Sequence, residues 1–160
     1  MRLMVKAKVR PIGHVTPGGY KKTSKGWVKV GKGIPKGYSS KRLNYKIQNV
    51  EDKRLFIDSF LKEDEKTWLD PKGDVKAATM TIDLISEDTA YFNRADALRS
   101  GKGYAREMLG AMIHLLGKRG ISKIRGYIES SNIQSQNMLV KLGFYRVEEA
   151  REGAYWERRI

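Results

Sequence analysis

Between Asp88 and Gly120 the spacing of apolar residues changes from two to 3.6 across one glycine-rich turn, and this switch restricts the possible folds most. Thr89-Ala90-Tyr91-Phe92-Asn93 has the β-branched and aromatic content of a strand, with Asp88 as the turn residue before it. After the run Gly101-Lys102-Gly103-Tyr104-Ala105, residues Ala105, Met108, Leu109, Met112, Ile113 and Leu116 recur on one helical face. Gly120, behind Lys118 and Arg119, is a helix stop with cations near the negative end of the dipole. A glycine turn at a helix start leaves N–H groups without intrahelical partners where the dipole is positive. It suits a phosphate or diphosphate, with Lys102 adding charge, and it equally suits an ordinary surface turn. It is no P-loop, because Gly-Lys-Ser/Thr is missing, and no dinucleotide fingerprint, because only one spaced glycine pair precedes the helix.

The 160 residues are enough for one domain with a proper core and an appendage. No apolar run approaches the ~20 residues of a membrane span, and charge interrupts Met1 to Lys6 too often for a signal peptide. There is no cysteine, hence no disulfide framework or thiolate metal site, which fits a reducing compartment such as the cytoplasm. His14 and His114 are the two histidines and lie far apart in sequence, so no metal site is expected.

Charge is distributed unevenly. Residues 1–50 hold 13 of the 32 Lys and Arg and none of the 18 Asp and Glu, leaving 19 basic against 18 acidic residues for the remainder. Nearly all of the net +14 therefore belongs to the first third. This describes a basic arm and linker over residues 1–42 and a near-neutral domain over residues 43–160. In the arm, Val5 to Ile12 reads as a strand, Thr16 to Gly19 as a turn, Tyr20 to Val30 as a small hairpin and Gly31 to Ser40 as a linker. Tyr20, Trp27, Tyr38 and Tyr45 alternate with lysines. Residues 1–46 thus suit nucleic acid or another acidic partner, with lysines on phosphates and aromatic faces on bases, or else a solubilising or docking tail.

The domain begins with an antiparallel meander: Leu43 to Asn49, Leu55 to Leu61, a short Thr67-Trp68-Leu69, and Val75 to Leu84 leading into the Thr89 strand. Beyond the main helix, Ser122 to Glu129 reads as strand, and Ser130-Ser131-Asn132 offers N-cap side chains for a helix through about Leu142. Gly143 fits the left-handed position after it, and Tyr145 to Val147 with Ala154 to Glu157 make a last hairpin turning near Glu152-Gly153. The fold class is α+β, a mixed and mainly antiparallel sheet with two main helices.

The second half resembles the GCN5-related N-acetyltransferase (GNAT) family. Ser100-Gly101-Lys102-Gly103-Tyr104-Ala105 between strand and helix is similar to the family's Gln/Arg-x-x-Gly-x-Gly/Ala signature, with Gly103 and Ala105 matching. Asn132-Ile133-Gln134-Ser135 through Lys141-Leu142-Gly143-Phe144 resembles its second conserved segment. The resemblance covers roughly residues 43–160 and implies acetyl-CoA as cofactor and transfer of acetyl to an amine: a protein lysine, an N-terminus or a small amine. It implies that Ser100, Gly101, Lys102, Gly103, Tyr104 and Ala105 bind the pyrophosphate of coenzyme A. It further implies that Asn93, Arg94 and Ala95 on a splayed strand meet the pantetheine arm. Asn132 would approach that arm, or act as a plain N-cap, or do both. The proton of the amine would go to Asp96, Glu129 or water, although each carboxylate also fits an ordinary surface role.

Three departures stand out. The family's Gln/Arg is Ser100 here, with Arg99 one place early. The tyrosine often used as general acid falls at Leu139, so thiolate protonation would come from Tyr145 or water. The two helices the family places between its first strands are missing or reduced. The lysine, glycine and aromatic texture of the arm resembles segments of phage-encoded proteins, including virion components. The alternative function is accordingly a non-enzymatic structural or nucleic-acid-binding protein with the GNAT fold.

Overall fold

The computed structural model describes residues 19–24, 26–29 and 33–160. The strand expected at Val5 to Ile12 and most of the Thr16 to Gly19 turn lie outside these. Tyr20–Thr23 (β1) and Gly26–Lys29 (β2) form the expected antiparallel hairpin.

The rest is an α+β layer of one eight-stranded sheet and two helices. In chain order the strands are β3 (Gly37–Ser39), β4 (Leu43–Val50), β5 (Arg54–Leu61), β6 (Lys76–Leu84), β7 (Thr89–Ala97), β8 (Lys123–Glu129), β9 (Tyr145–Glu149) and β10 (Gly153–Arg159). They are arranged β3-β4-β5-β6-β7-β8-β10-β9, and β7 with β8 is the one parallel pair among the described residues. α1 (Tyr104–Gly117) makes that crossover, and α2 (Ile133–Lys141) follows β8.

The alternating patterns act as period two requires. Leu43, Tyr45 and Ile47 of β4, Leu55, Ile57 and Leu61 of β5, and Ala78, Met80 and Ile82 of β6 are buried. α1 covers this face with Met108, Leu109, Met112, Ile113 and Leu116. Ser59, fully buried among them, spends its hydroxyl on the Ala78 carbonyl at 2.9 Å, so no donor is stranded. β4 and β5 are joined by Glu51 to Lys53 alone, with Glu51 and Asp52 both at φ 54°. No helix interrupts the first strands apart from one 3-10 turn at Glu63–Glu65.

Three segments differ from the sequence reading. The sheet begins at Gly37, inside the stretch expected to be linker, because β3 pairs with β4 and Ile34 and Tyr38 pack on the core. Tyr45 is 2% exposed and Tyr38 is half-buried beside it, so neither ring faces solvent as a base-stacking platform would. Thr67-Trp68-Leu69 is a turn. The Asp70 carboxylate accepts the Thr67 N–H at 2.8 Å, and this local bond replaces strand pairing. Among the described residues no helix is long and apolar enough to cross a membrane.

Candidate active site

β7 and β8 pair from Thr89↔Lys123 to Phe92↔Gly126 and then part. β7 continues to Ala97 bonded only to β6, and β8 continues to Glu129 bonded only to β10. The parting starts where β7 bulges. Thr81 faces Arg94 while Ile82 faces Phe92, which leaves Asn93 as the extra residue. The Asn93 amide donates to Asp83, whose carboxylate also receives Nε and Nη2 of Arg54. The result is a wedge in which neither strand has a ladder partner on its inner edge. The cleft it opens has a volume of about 670 Å3 and runs from Ala95, Asp96 and Ala97 to the start of α1.

At that end, Gly101 and Gly103 take φ 76° and 74°, a region closed to most side chains. Gly103 is the N-cap and has no side chain to turn back on the helix. Among the described residues the amides of Gly103, Tyr104, Ala105 and Arg106 have no acceptor; the first helical bond is Glu107 N–H to the Gly103 carbonyl at 3.0 Å. Gly101, Lys102 and Gly103 are exposed, so side chains do not plug the mouth. Lys102, Arg106 and Lys141 line the cleft without an ion-pair partner among the described residues, and Asp96 is the one carboxylate in the lining. Unpaired amides, a positive dipole end and three cations are the features that suit an anion.

A second network backs the turn. Glu107, in the first turn of α1, accepts the Arg42 backbone N–H at 2.8 Å, Arg42 Nε at 2.6 Å and the Ser40 hydroxyl. Ser40 Oγ also meets Tyr45 Oη at 2.6 Å. Burial alone pushes the Glu107 pKa up, but the bonds from Ser40 and Arg42 outweigh it and hold the carboxyl below its ordinary value of 4.5. A carboxyl depressed on folding stabilises fully above its unfolded pKa and loses that contribution as pH falls through the folded one. Wild-type urea midpoints should therefore fall between about pH 6 and about pH 3 more steeply than those of Glu107→Gln. Parallel curves would show that the network contributes no linkage.

Ala95, Ser100, Gly101, Lys102, Gly103, Tyr104, Ala105 and Asn132, named from sequence for the cofactor, all line the cleft, as does Asp96. Tyr104 is itself buried. Its ring is 4% exposed, its hydroxyl donates to Glu65 at 3.0 Å, and burial and that bond push its pKa up. Asn132 caps α2, its carbonyl oxygen accepting the Ser135 N–H at 3.1 Å, and its amide nitrogen is left for the cleft. Asn93 and Arg94 lie outside the lining: Asn93 is spent on the bulge, and Arg94 is paired with Asp96. Glu129 also lies outside, exposed where β8 turns towards α2. Leu139 is fully buried, and Tyr145 is exposed on edge strand β9, outside the lining.

Several residues escaped the sequence reading. Gln134, Asn137, Met138 and Lys141 recur at i, i+3, i+4 and i+7 and present one face of α2 to the cleft. That spacing is visible in the sequence. Arg99, already noted one place before the family's Gln/Arg, also lines the cleft, with its guanidinium tied to Asp70. Ser40, Arg42 and Glu107 carried no local signal.

The site is thus a bulged strand splayed from its parallel neighbour and leading to a helix N-terminus with unpaired amides. Residues 73–145 match the family model described as an acetyltransferase (GNAT) domain, a stretch that includes both helices and the glycine turn. A domain from Methanocaldococcus jannaschii superposes with TM-score 0.57 at 19% identity, over 68% of this chain and 68% of that one. Campylobacter jejuni N-acetyltransferase PseH gives 0.54 at 13%, over 67% and 68%. PaiA N-acetyltransferase from Thermoplasma acidophilum, solved with coenzyme A, gives 0.52 at 18%, over 68% and 62%. At such identities these neighbours establish the fold. Among curated proteins none matches the sequence.

Proposed function

We propose that this protein is an acetyl-CoA-dependent N-acetyltransferase acting on a protein lysine, an N-terminus or a small amine. The observation that carries the reading is the wedge between β7 and β8 leading directly onto four unpaired amides at the start of α1. The residues present fit the group: the amides of residues 103–106 with Lys102, Arg106 and Lys141 suit a diphosphate. When bound, acetyl-CoA supplies an acetyl group activated as a thioester. The bare edge of residues 93–97 offers backbone donors and acceptors to an extended amide arm, in the manner of an added strand. A β7 amide near Ala95 offers a donor to a carbonyl oxygen that gains charge. Asp96, as the cleft's carboxylate, accepts the proton of the attacking amine. The Tyr104 phenol is committed to Glu65, so a proton for the departing thiolate would have to come from water.

Isothermal titration with coenzyme A tests the reading, coupled to thiol release from acetyl-CoA across a panel of amines. Saturable binding below about 1 mM and amine-dependent release are expected. No heat at millimolar coenzyme A would leave the non-enzymatic alternative. Binding without turnover on any amine would limit the chain to a cofactor-holding role.

A further inference from the structure

The turn ahead of α1 is poorly able to hold itself. Gly101 and Gly103 both sit at positive φ, and glycine loses more backbone freedom on ordering than any other residue. Some group outside the turn must select the conformation in which its N–H groups converge. Among the described residues one side chain from outside bonds to the turn's backbone. This is Arg42, whose Nη1 donates to the Lys102 carbonyl at 2.8 Å.

Arg42 is itself fixed. Glu107 takes its Nε and its backbone N–H, and its guanidinium carbon lies 4.8 Å from the centre of the Tyr104 ring. It stands outside the cleft lining, whereas Lys102 and Gly103 stand within it. The Lys102 carbonyl and the Gly103 N–H belong to one planar trans peptide and point in opposite directions. A carbonyl drawn back onto Arg42 therefore turns the Gly103 N–H towards the cleft. A cation on the carbonyl also polarises the peptide and strengthens that N–H as a donor.

The geometry points to Arg42 as a positioning residue for the anion-binding turn, acting through the 102–103 peptide on a diphosphate it does not touch. This rests on the acetyltransferase reading for the identity of the ligand, but not for the anion. The fork geometry matters: Nε serves Glu107 while Nη1 serves Lys102, and a lysine ammonium cannot do both from one plane.

The test uses the full chain, 15N-labelled, with Arg42→Met and Arg42→Lys. Inorganic pyrophosphate, coenzyme A and pantetheine (which lacks the diphosphate) are titrated while the Gly103 amide resonance is followed. Both variants should bind pyrophosphate and coenzyme A about tenfold or more weakly, the scale of one hydrogen bond to a charged group. Their affinity for pantetheine should match wild type, which also shows that the variant is folded. Recovery of pyrophosphate binding by Arg42→Lys would reduce the effect to charge and overturn the inference. An equal loss for pantetheine would overturn it as general damage, and so would unchanged pyrophosphate binding in both variants. If wild type bound pyrophosphate but not coenzyme A, the acetyltransferase reading would fall. The role of Arg42, read on pyrophosphate, would then still stand or fall by its variants.

Discussion

Gly103→Glu is expected to weaken coenzyme A binding by about 100-fold or more, equivalent to ~2.8 kcal/mol. Three effects act in the same direction. Position 103 holds φ 74°, and an L side chain there costs ~1–2 kcal/mol, which favours rearrangement of the turn. A Cβ at this point would lie 3.6 Å from Arg42 Nη2 and 3.9 Å from Arg106 Nη2, so there is room for the side chain and a cation on either side to pair with it. A carboxylate placed there satisfies the amides that should receive the ligand and repels a diphosphate. The charge term should dominate. Gly103→Ala, which carries the backbone strain without the charge, should lose only several-fold. Titration calorimetry on both variants, with thermal unfolding to monitor the fold, measures the difference. Equal losses in the two would mean that backbone conformation alone governs the site. Wild-type affinity in Gly103→Glu would remove the helix mouth from the binding site.

The second large effect concerns the point where β7 and β8 part. Gly126 faces Phe92 as the last pair of the parallel ladder. A Cβ on Gly126 would fall 2.1 Å from Phe92 Cζ and 2.4 Å from both Cε atoms. The ring cannot swing clear: it is 4% exposed and meets the Phe144 ring edge to face, with centroids 5.8 Å apart. Overpacking of this kind costs ~1–3 kcal/mol, and backbone shift at a rigid ladder places Gly126→Ala at the upper end. For a chain of this size that is a fall in Tm of roughly 6–12 °C. Phe92→Leu should restore part of the loss in the double variant, because the two changes share one volume. Additive losses would show that the residues act separately. Full stability of Gly126→Ala would mean that the ladder does not close against the ring.

These two glycines show how unevenly the site can be read along the chain. Gly103 was legible as a turn glycine at a helix start because strand, turn and helix lie in one short stretch, and the helix periodicity dates the turn. Asn132 was legible for the same reason, as a cap three residues from the amide it holds. Gly126 carried no such mark. In sequence it is one more residue of a strand, and the ring that needs its missing Cβ lies 34 positions earlier. Glu129, a plausible proton acceptor at a strand end, is outside the cleft because β8 follows β10 after leaving β7. Its position along the strand is unchanged from expectation, and only its partner decides what it faces.

The amino-acid order alone settled whatever depends on neighbours within a turn or two. The period-two strands with their buried faces, the amphipathic α1, the capped α2 and the glycine mouth all belong here, since backbone preference and burial of one face act over a few residues. Pairing across tens of residues was decided by the folded chain. The wedge exists because β7 bulges against β6 and stops pairing with β8, and the turn is held because Arg42 reaches Glu107 and Lys102 some sixty residues away. Contacts like these follow from global register and packing, which no local pattern encodes.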